Sequence, residues 1–106
     1  MNKLFKVEVF LPPEALENIK NGLYSAGFGK VGNYDCCLSW HEISSSWRGN
    51  ENSNPYLGTV GNIEFASEYK IEFKCEEKDL PNAIKIIKDN HSYEEVCINI
   101  IPLIVL

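Results

Sequence analysis

Four cysteines, two histidines and a pair of adjacent glutamates are the residues of this chain suited to chemistry. Cys36, Cys37, Cys75 and Cys97 lack Cys-x-x-Cys spacing, so no zinc ribbon or thioredoxin-type dithiol is written in them. Three of them lie in strand-like alternating patterns, where a thiol serves as a small buried hydrophobe. An imidazole beside Cys36 or Cys37 would make a nucleophile of it, with His91 as the base. A divalent metal ion such as zinc wants about four donors, and the candidate set is Cys36, His41, His91 and Glu94. The run His91-Ser92-Tyr93-Glu94-Glu95 sets an imidazole next to two carboxylates, an arrangement for coordination or titration near neutrality. Its structural alternative has Tyr93 packed, both glutamates solvated and His91 capping the preceding helix.

The stretch from Gly27 to Gly61 is the other anomaly. It holds six of the seven glycines, at 27, 29, 32, 49, 58 and 61, and both tryptophans. Gly29-x-x-Gly32 would offer amides to an anion, but no Gly-Lys-Ser/Thr and no helix follow, so it is no Walker loop. Such turns mostly serve positive φ. Trp40, Trp47 and Tyr56 are large aromatics in a polar setting, which predicts a subunit interface. Tyr34, Cys36, His41, Tyr56 and His91 are the candidate ligand-binding residues, lining a cleft between subunits.

Composition bounds the partners. The chain has 106 residues, 44% hydrophobic and 24% charged, with net charge −5, which predicts one globular domain, 1–106. Its ten basic residues are scattered singly. Nucleic acid is therefore not an expected partner, since phosphate binding needs clustered Lys and Arg. Charges at Lys3, Lys6 and Glu8 interrupt any apolar signal region. No run reaches the roughly 20 apolar residues that span a bilayer. No membrane partner, a cytoplasmic location and reduced thiols are the expectation.

The elements that must position these residues follow from periodicity. Phe5, Val7, Val9 and Leu11 alternate with Lys6 and Glu8, predicting a strand over 4–11 that Pro12-Pro13 ends. Leu16, Ile19, Leu23 and Ala26 form a helical stripe, closed by Gly27 or Gly29 and weakened by Gly22. Tyr34–His41 predicts a second strand, followed by a long polar excursion at about 42–62. Ile63–Cys75 is the clearest strand, with Glu68, Lys70, Glu72 and Lys74 on a solvent-facing side. Asp79 is expected to cap a helix whose stripe is Leu80, Ala83, Ile84 and Ile87. Tyr93–Leu103 predicts the last strand. The order β-α-β-β-α-β is the split-βαβ, ferredoxin-like α+β pattern: an antiparallel four-stranded sheet with both helices on one face.

Three pieces together carry a resemblance: Gly29-Lys30-Val31-Gly32-Asn33-Tyr34-Asp35-Cys36-Cys37, Asn54-Pro55-Tyr56-Leu57-Gly58-Thr59-Val60-Gly61, and His91-Ser92-Tyr93-Glu94-Glu95 ahead of Asn99-Ile100-Ile101-Pro102-Leu103. The chain resembles the CutA-like, PII-like domain inserted in the middle of bacterial NGG-interacting factor 3-like proteins, and its free-standing relatives. It departs at Leu38-Ser39-Trp40-His41, where relatives carry a Ser-Phe pair and a short Gly/Pro hairpin, and at Ser92, where they carry Pro. The dinuclear metal site of the parent proteins lies in flanking domains for which this chain has no room, so a metal-dependent hydrolase is not expected. The resemblance implies a CutA/PII-like homo-oligomer, a trimer in the first place and a dimer as the alternative. The resulting expectation is a non-enzymatic module binding a small ligand or a metal ion. Its alternatives are an interaction module using the 42–62 loop and a Cys/His enzyme.

Overall fold

A computed structural model describes residues 3–104; residues 1–2 and 105–106 of the expected 1–106 domain lie outside them. The strands are β1 (Leu4–Leu11), β2 (Ser39–Arg48), β3 (Ile63–Glu76) and β4 (Ile98–Leu103). The helices are α1 (Leu16–Ser25) and α2 (Leu80–Asp89), each entered through a short 3-10 turn. The sheet order is β2-β3-β1-β4 and every pairing is antiparallel. This is the expected ferredoxin-like arrangement. Among the described residues no helix is long and apolar enough to cross a membrane.

The alternation of β1 and β3 builds the core. Val7, Val9, Leu11, Ile71, Phe73 and Cys75 point to the helices and are buried against Leu16, Ile19, Leu23, Ala83 and Ile87. Each fully buried aliphatic side chain contributes about 1.5–3 kcal/mol. Phe28 closes one end with its ring edge-on to Phe73, centroids 5.9 Å apart. Gly22 lies where α1 meets α2: a Cβ there would stand 2.9 Å from Ile86 Cγ2, so close helix approach accounts for the glycine. Ala26, assigned to the stripe from its spacing, is exposed because the helix ends at Ser25. Asp79 forms no side-chain cap; the 3-10 turn before α2 gives it helical dihedrals, which turn its carboxylate away from the capping position.

Three boundaries differ from expectation. The second strand starts at Ser39, not Tyr34, because residues 29–38 close on themselves. Val31 and Tyr34 exchange two backbone hydrogen bonds of 3.0 Å, and the Cys37 N–H donates to the Gly29 carbonyl at 2.8 Å. Gly29, at φ 89°, has no room for a side chain: its Cβ would be 2.6 Å from the Cys37 nitrogen. The same strand continues to Arg48, through residues assigned to a polar excursion. Its partner is the reason. β3 is 14 residues long, and only Tyr69–Glu76 pair with β1. The outer half, Ile63–Glu68, pairs with Ile43–Arg48, which satisfies backbone groups that serine side chains do not signal. The result is a two-stranded ribbon projecting past β1, in a molecule 47 Å long and 24 by 22 Å across. Finally, the last strand begins at Ile98, because residues 91–97 form a turn described below.

On the face away from the helices, Glu8 sits at the centre of the sheet. It opposes Glu72 on β3 and Asn99 on β4. Asn99 Nδ2 donates to it at 3.0 Å, while Lys6 (3.7 Å) and Lys70 (4.0 Å) flank it and Lys6 also reaches Glu72 at 3.4 Å. The Asn99 hydrogen bond holds the Glu8 carboxyl below its ordinary range, partial burial opposes this, and the two lysines add to the lowering. A depressed folded-state value means the stabilisation is present above the unfolded value and lost as pH falls through the folded one. Glu8→Gln should therefore lower stability at neutral pH by about 1 kcal/mol. Its difference from the parent should shrink as denaturation is followed to acid pH; an unchanged difference there would contradict this assignment.

Candidate functional site

The projecting ribbon does not stand bare. Gly49 and Gly61 close the base of the connecting loop through a 2.9 Å backbone hydrogen bond, and Asn50 structures its first turn by accepting from the Asn52 N–H. Residues 53–58 then fold back over the ribbon. Trp47 Nε1 donates to the Leu57 carbonyl at 3.3 Å, and the Thr59 N–H donates to Glu64 at 3.2 Å. The Asn54 N–H donates to Glu94 at 2.8 Å, and the Tyr56 hydroxyl donates to Glu14 at 2.6 Å. This last bond lowers the Glu14 carboxyl and raises the Tyr56 phenol.

From the other side the lead-in to β4 meets the loop. His91 is its anchor. The Tyr93 N–H donates to His91 Nδ1 at 3.1 Å, which leaves Nε2 as the protonated nitrogen, and that nitrogen donates to the Phe10 carbonyl at 2.7 Å. The Tyr93 ring packs at a tilt against both neighbours, its centroid 4.9 Å from that of His91 and 6.0 Å from that of Tyr56. The Phe10 N–H donates to the Cys97 carbonyl and completes the link to β1.

Between loop, ribbon and lead-in lies a cleft of about 530 Å³, within the range of small-molecule sites. Phe10, Trp47, Tyr56 and Tyr93 supply its aromatic lining; Glu68, Glu94, Glu95 and Arg48 supply its charges. Two groups are unusual. Glu68, expected on the solvent face of β3, is only 6% exposed. The Tyr93 hydroxyl is buried without a hydrogen-bond partner. Burial pushes its pKa well above the ordinary phenol range, and the nearby Glu68 carboxylate pushes it further. An orphaned buried hydroxyl in a roomy cleft is a natural point of contact for a ligand.

A second cavity, about 640 Å³, lies at the opposite end of the sheet beside Gly27–Gly32. Lys30, Lys74 and Lys78 line it beside Glu76 and Asp79, with Lys78 paired to Glu76 at 3.4 Å. The amides of Val31 and Tyr34 are consumed by their own bridge. The glycines here serve backbone geometry.

The candidate residues separate accordingly. Tyr56, His91 and Glu94 come together, with Trp47 lining the same cleft. Tyr34 and Cys36 lie in the 29–38 turn, near the Leu4 end of β1, whereas His91 binds Phe10 at the other end. Six residues of strand separate those ends, roughly 20 Å. His41 lies on β2 opposite Lys70, level with Phe10 but two strands away, roughly 10 Å. Cys36, His41, His91 and Glu94 thus form no single cluster within one chain, and His91 has both ring nitrogens engaged. Among the described residues no group of three or more His, Cys, Asp or Glu is placed to hold a metal ion. Trp40 is on the helix-side face, its ring under Lys20 Nζ at 4.0 Å. Of the cysteines only Cys75 is buried, its thiol pushed up to about 11 by burial and the nearby Asp79 and Glu76 carboxylates. Cys36 and Cys97 are exposed, because the segments before β2 and β4 are turns rather than strands.

Sequence reasoning missed Glu68 and Phe10. Phe10 left a trace: an aromatic residue at a position of β1 otherwise taken by Lys6 and Glu8. Glu68 left none, since it sits among Lys70, Glu72 and Lys74 as one more polar residue.

No protein-family model matches the chain. It is 33% identical over 90 residues to a Staphylococcus epidermidis protein named GTP cyclohydrolase 1 type 2 homolog, covering 85% of this chain and 25% of that one. The chain spans about a quarter of the length of the curated relatives it matches. The crystal structure of a Bacillus cereus protein related to NIF3 matches with TM-score 0.83 at 29% identity, over 96% of this chain and 26% of the other. Divalent ion tolerance protein CutA1 from Ehrlichia chaffeensis matches with TM-score 0.74 at 17% identity, over 100% of this chain and 86% of the other. Bacillus subtilis GlnK matches with TM-score 0.67 at 16% identity, over 95% and 85%. At those last identities the likeness is one of fold.

Two substitutions probe the construction. His91→Ala removes both anchors of the β4 lead-in and should lower stability by about 1–3 kcal/mol, read from denaturant midpoints. Tyr93→Phe removes an unpaired buried hydroxyl and should leave stability equal or raise it by about 1 kcal/mol; a clear loss would show that the hydroxyl is satisfied in the folded protein.

Proposed function

We infer that this chain, a CutA/PII-like ferredoxin-fold domain that resembles part of the NGG-interacting factor 3-related proteins, is a small-ligand binding and regulatory module rather than an enzyme. The observation that carries the reading is the aromatic cleft with its unpaired Tyr93 hydroxyl and secluded Glu68. A cysteine nucleophile is disfavoured by placement. Cys36 lies at the end of the sheet opposite His91, and the His91 imidazole is held by two hydrogen bonds. A metal ion would need donors from different copies of the chain, such as Cys36 or His41 of one and Glu94 of another. The unbridged thiols fit a reducing, cytoplasmic setting.

Self-association accompanies the reading. Phe65 is 79% exposed and Ile63 58%, both on the helix-side face of the ribbon beyond the reach of the helices. Side chains of this size in a projecting ribbon suit contacts with further copies, and the resemblance points to a trimer before a dimer. The loop itself folds back on its own domain at Glu94 and Glu14, which favours a ligand cleft over a free docking arm.

Light scattering should return a multiple of the 12.0 kDa chain mass, reduced to the monomer by Phe65→Asp without loss of helical circular dichroism. Titration calorimetry over nucleotides, organic acids, amines and divalent cations tests the ligand; silence across the panel at millimolar concentration would remove the binding module.

A further inference from the structure

The chemistry of the cleft narrows its ligand. Glu68 lines it, is more than nine-tenths buried, stands beside the Tyr93 hydroxyl, and takes part in no ion pair formed among the described residues. A secluded carboxylate without a cation is costly, and a partner that supplies positive charge removes the cost. The protein's own cations do not. Lys70, two residues along the strand, turns to Glu8 at 4.0 Å. Arg48 faces Ile63 in the ladder, five residues from Glu68, roughly 16 Å along the ribbon. Three glutamates line the cleft against one arginine, so an anionic ligand meets repulsion at Glu68, Glu94 and Glu95. A hard divalent ion wants about six oxygens, and among the described residues no group of three or more His, Cys, Asp or Glu is placed to hold one. Rings are a favourable surface for an organic cation, whose charge is drawn to the aromatic face.

We propose that the cleft binds the ammonium head of a small organic amine, with Glu68 accepting its N–H groups, the Tyr93 hydroxyl taking another, the Phe10 and Tyr56 rings beside the charge and Trp47 further along the same wall. This rests on the cleft being the ligand site of the module, and it names the class of ligand. The amine supplies what these two neighbouring groups lack: a positive charge beside the carboxylate, with N–H donors for its free lone pairs and for the phenol oxygen.

The test uses the full chain and four probes of similar size: 1,4-diaminobutane, butylammonium, butan-1-ol and butanoate. Binding is read by calorimetry and by tryptophan fluorescence in a Trp40→Phe background, where Trp47 in the cleft is the remaining indole. The two amines should bind and quench; the alcohol and the carboxylate should not. Glu68→Gln keeps the shape and should weaken amine binding about tenfold or more, and Tyr93→Phe should weaken it a few-fold. Thermal melts of both variants establish that the fold is kept. Amine binding unaffected by Glu68→Gln would overturn the proposal, because the amine then sits elsewhere. Silent amines alongside a nucleotide or organic acid that quenches Trp47 would also overturn it, while leaving the binding module intact. Silence from every compound would remove both.

Discussion

The mismatch in strand length governs the rest of this molecule. β3 has 14 residues and β1 has 8, so Tyr69–Glu72 are flanked on both sides, Phe73–Glu76 by β1 alone, and the outer half, Ile63–Glu68, by β2 alone. An outer half left alone would present unpaired amides and carbonyls on both edges. β2 pairs the full length of the outer half and turns it into a ribbon. A two-stranded ribbon has no core of its own and is marginal unless something packs on it. The loop from Gly49 to Gly61 does so on one face, and the turn at His91–Cys97 closes the remaining side.

The cleft is a product of that covering, and its polar groups are satisfied unevenly. Glu14, Glu64 and Glu94 each accept a hydrogen bond from the loop and hold it in place. His91 uses both nitrogens to tie the β4 lead-in to β1. Glu68 and Tyr93, enclosed by the same pieces, have only each other and no cation. Groups fully used in construction are poor ligand residues, and groups enclosed but unused are good ones. The distinction moves the functional reading from His91, the eye-catching residue of its motif, to Glu68 and Tyr93.

Much of the fold was legible. The alternation of Val7, Val9 and Leu11, the stripe of Leu16, Ile19 and Leu23, and the alternation of Ile71, Phe73 and Cys75 each report a buried face with its own period, and the structure buries these residues. Their order implies the crossover topology, and the sheet has it. The ribbon half of β2 was not legible. Ser44, Ser45 and Ser46 pair through backbone alone, with no apolar face to set a period. The turn at 29–38 was equally hidden, since Tyr34, Cys36 and Leu38 alternate as a strand would, while Cys36 adopts φ 57°.

Amino-acid sequence by itself thus determined the class of the fold, the residues of the core and the unusual character of the 27–61 and 91–95 stretches. Hydrophobic period is local, and a local signal is enough for those. Only tertiary structure decided which candidates share a site. It put Tyr56, Glu94 and Trp47 around one cleft, kept Cys36 at the far end of the sheet, and enclosed Glu68 beneath segments remote from it in the chain. Burial of a polar residue depends on what folds over it, and no property of Glu68 or its immediate neighbours carries that information.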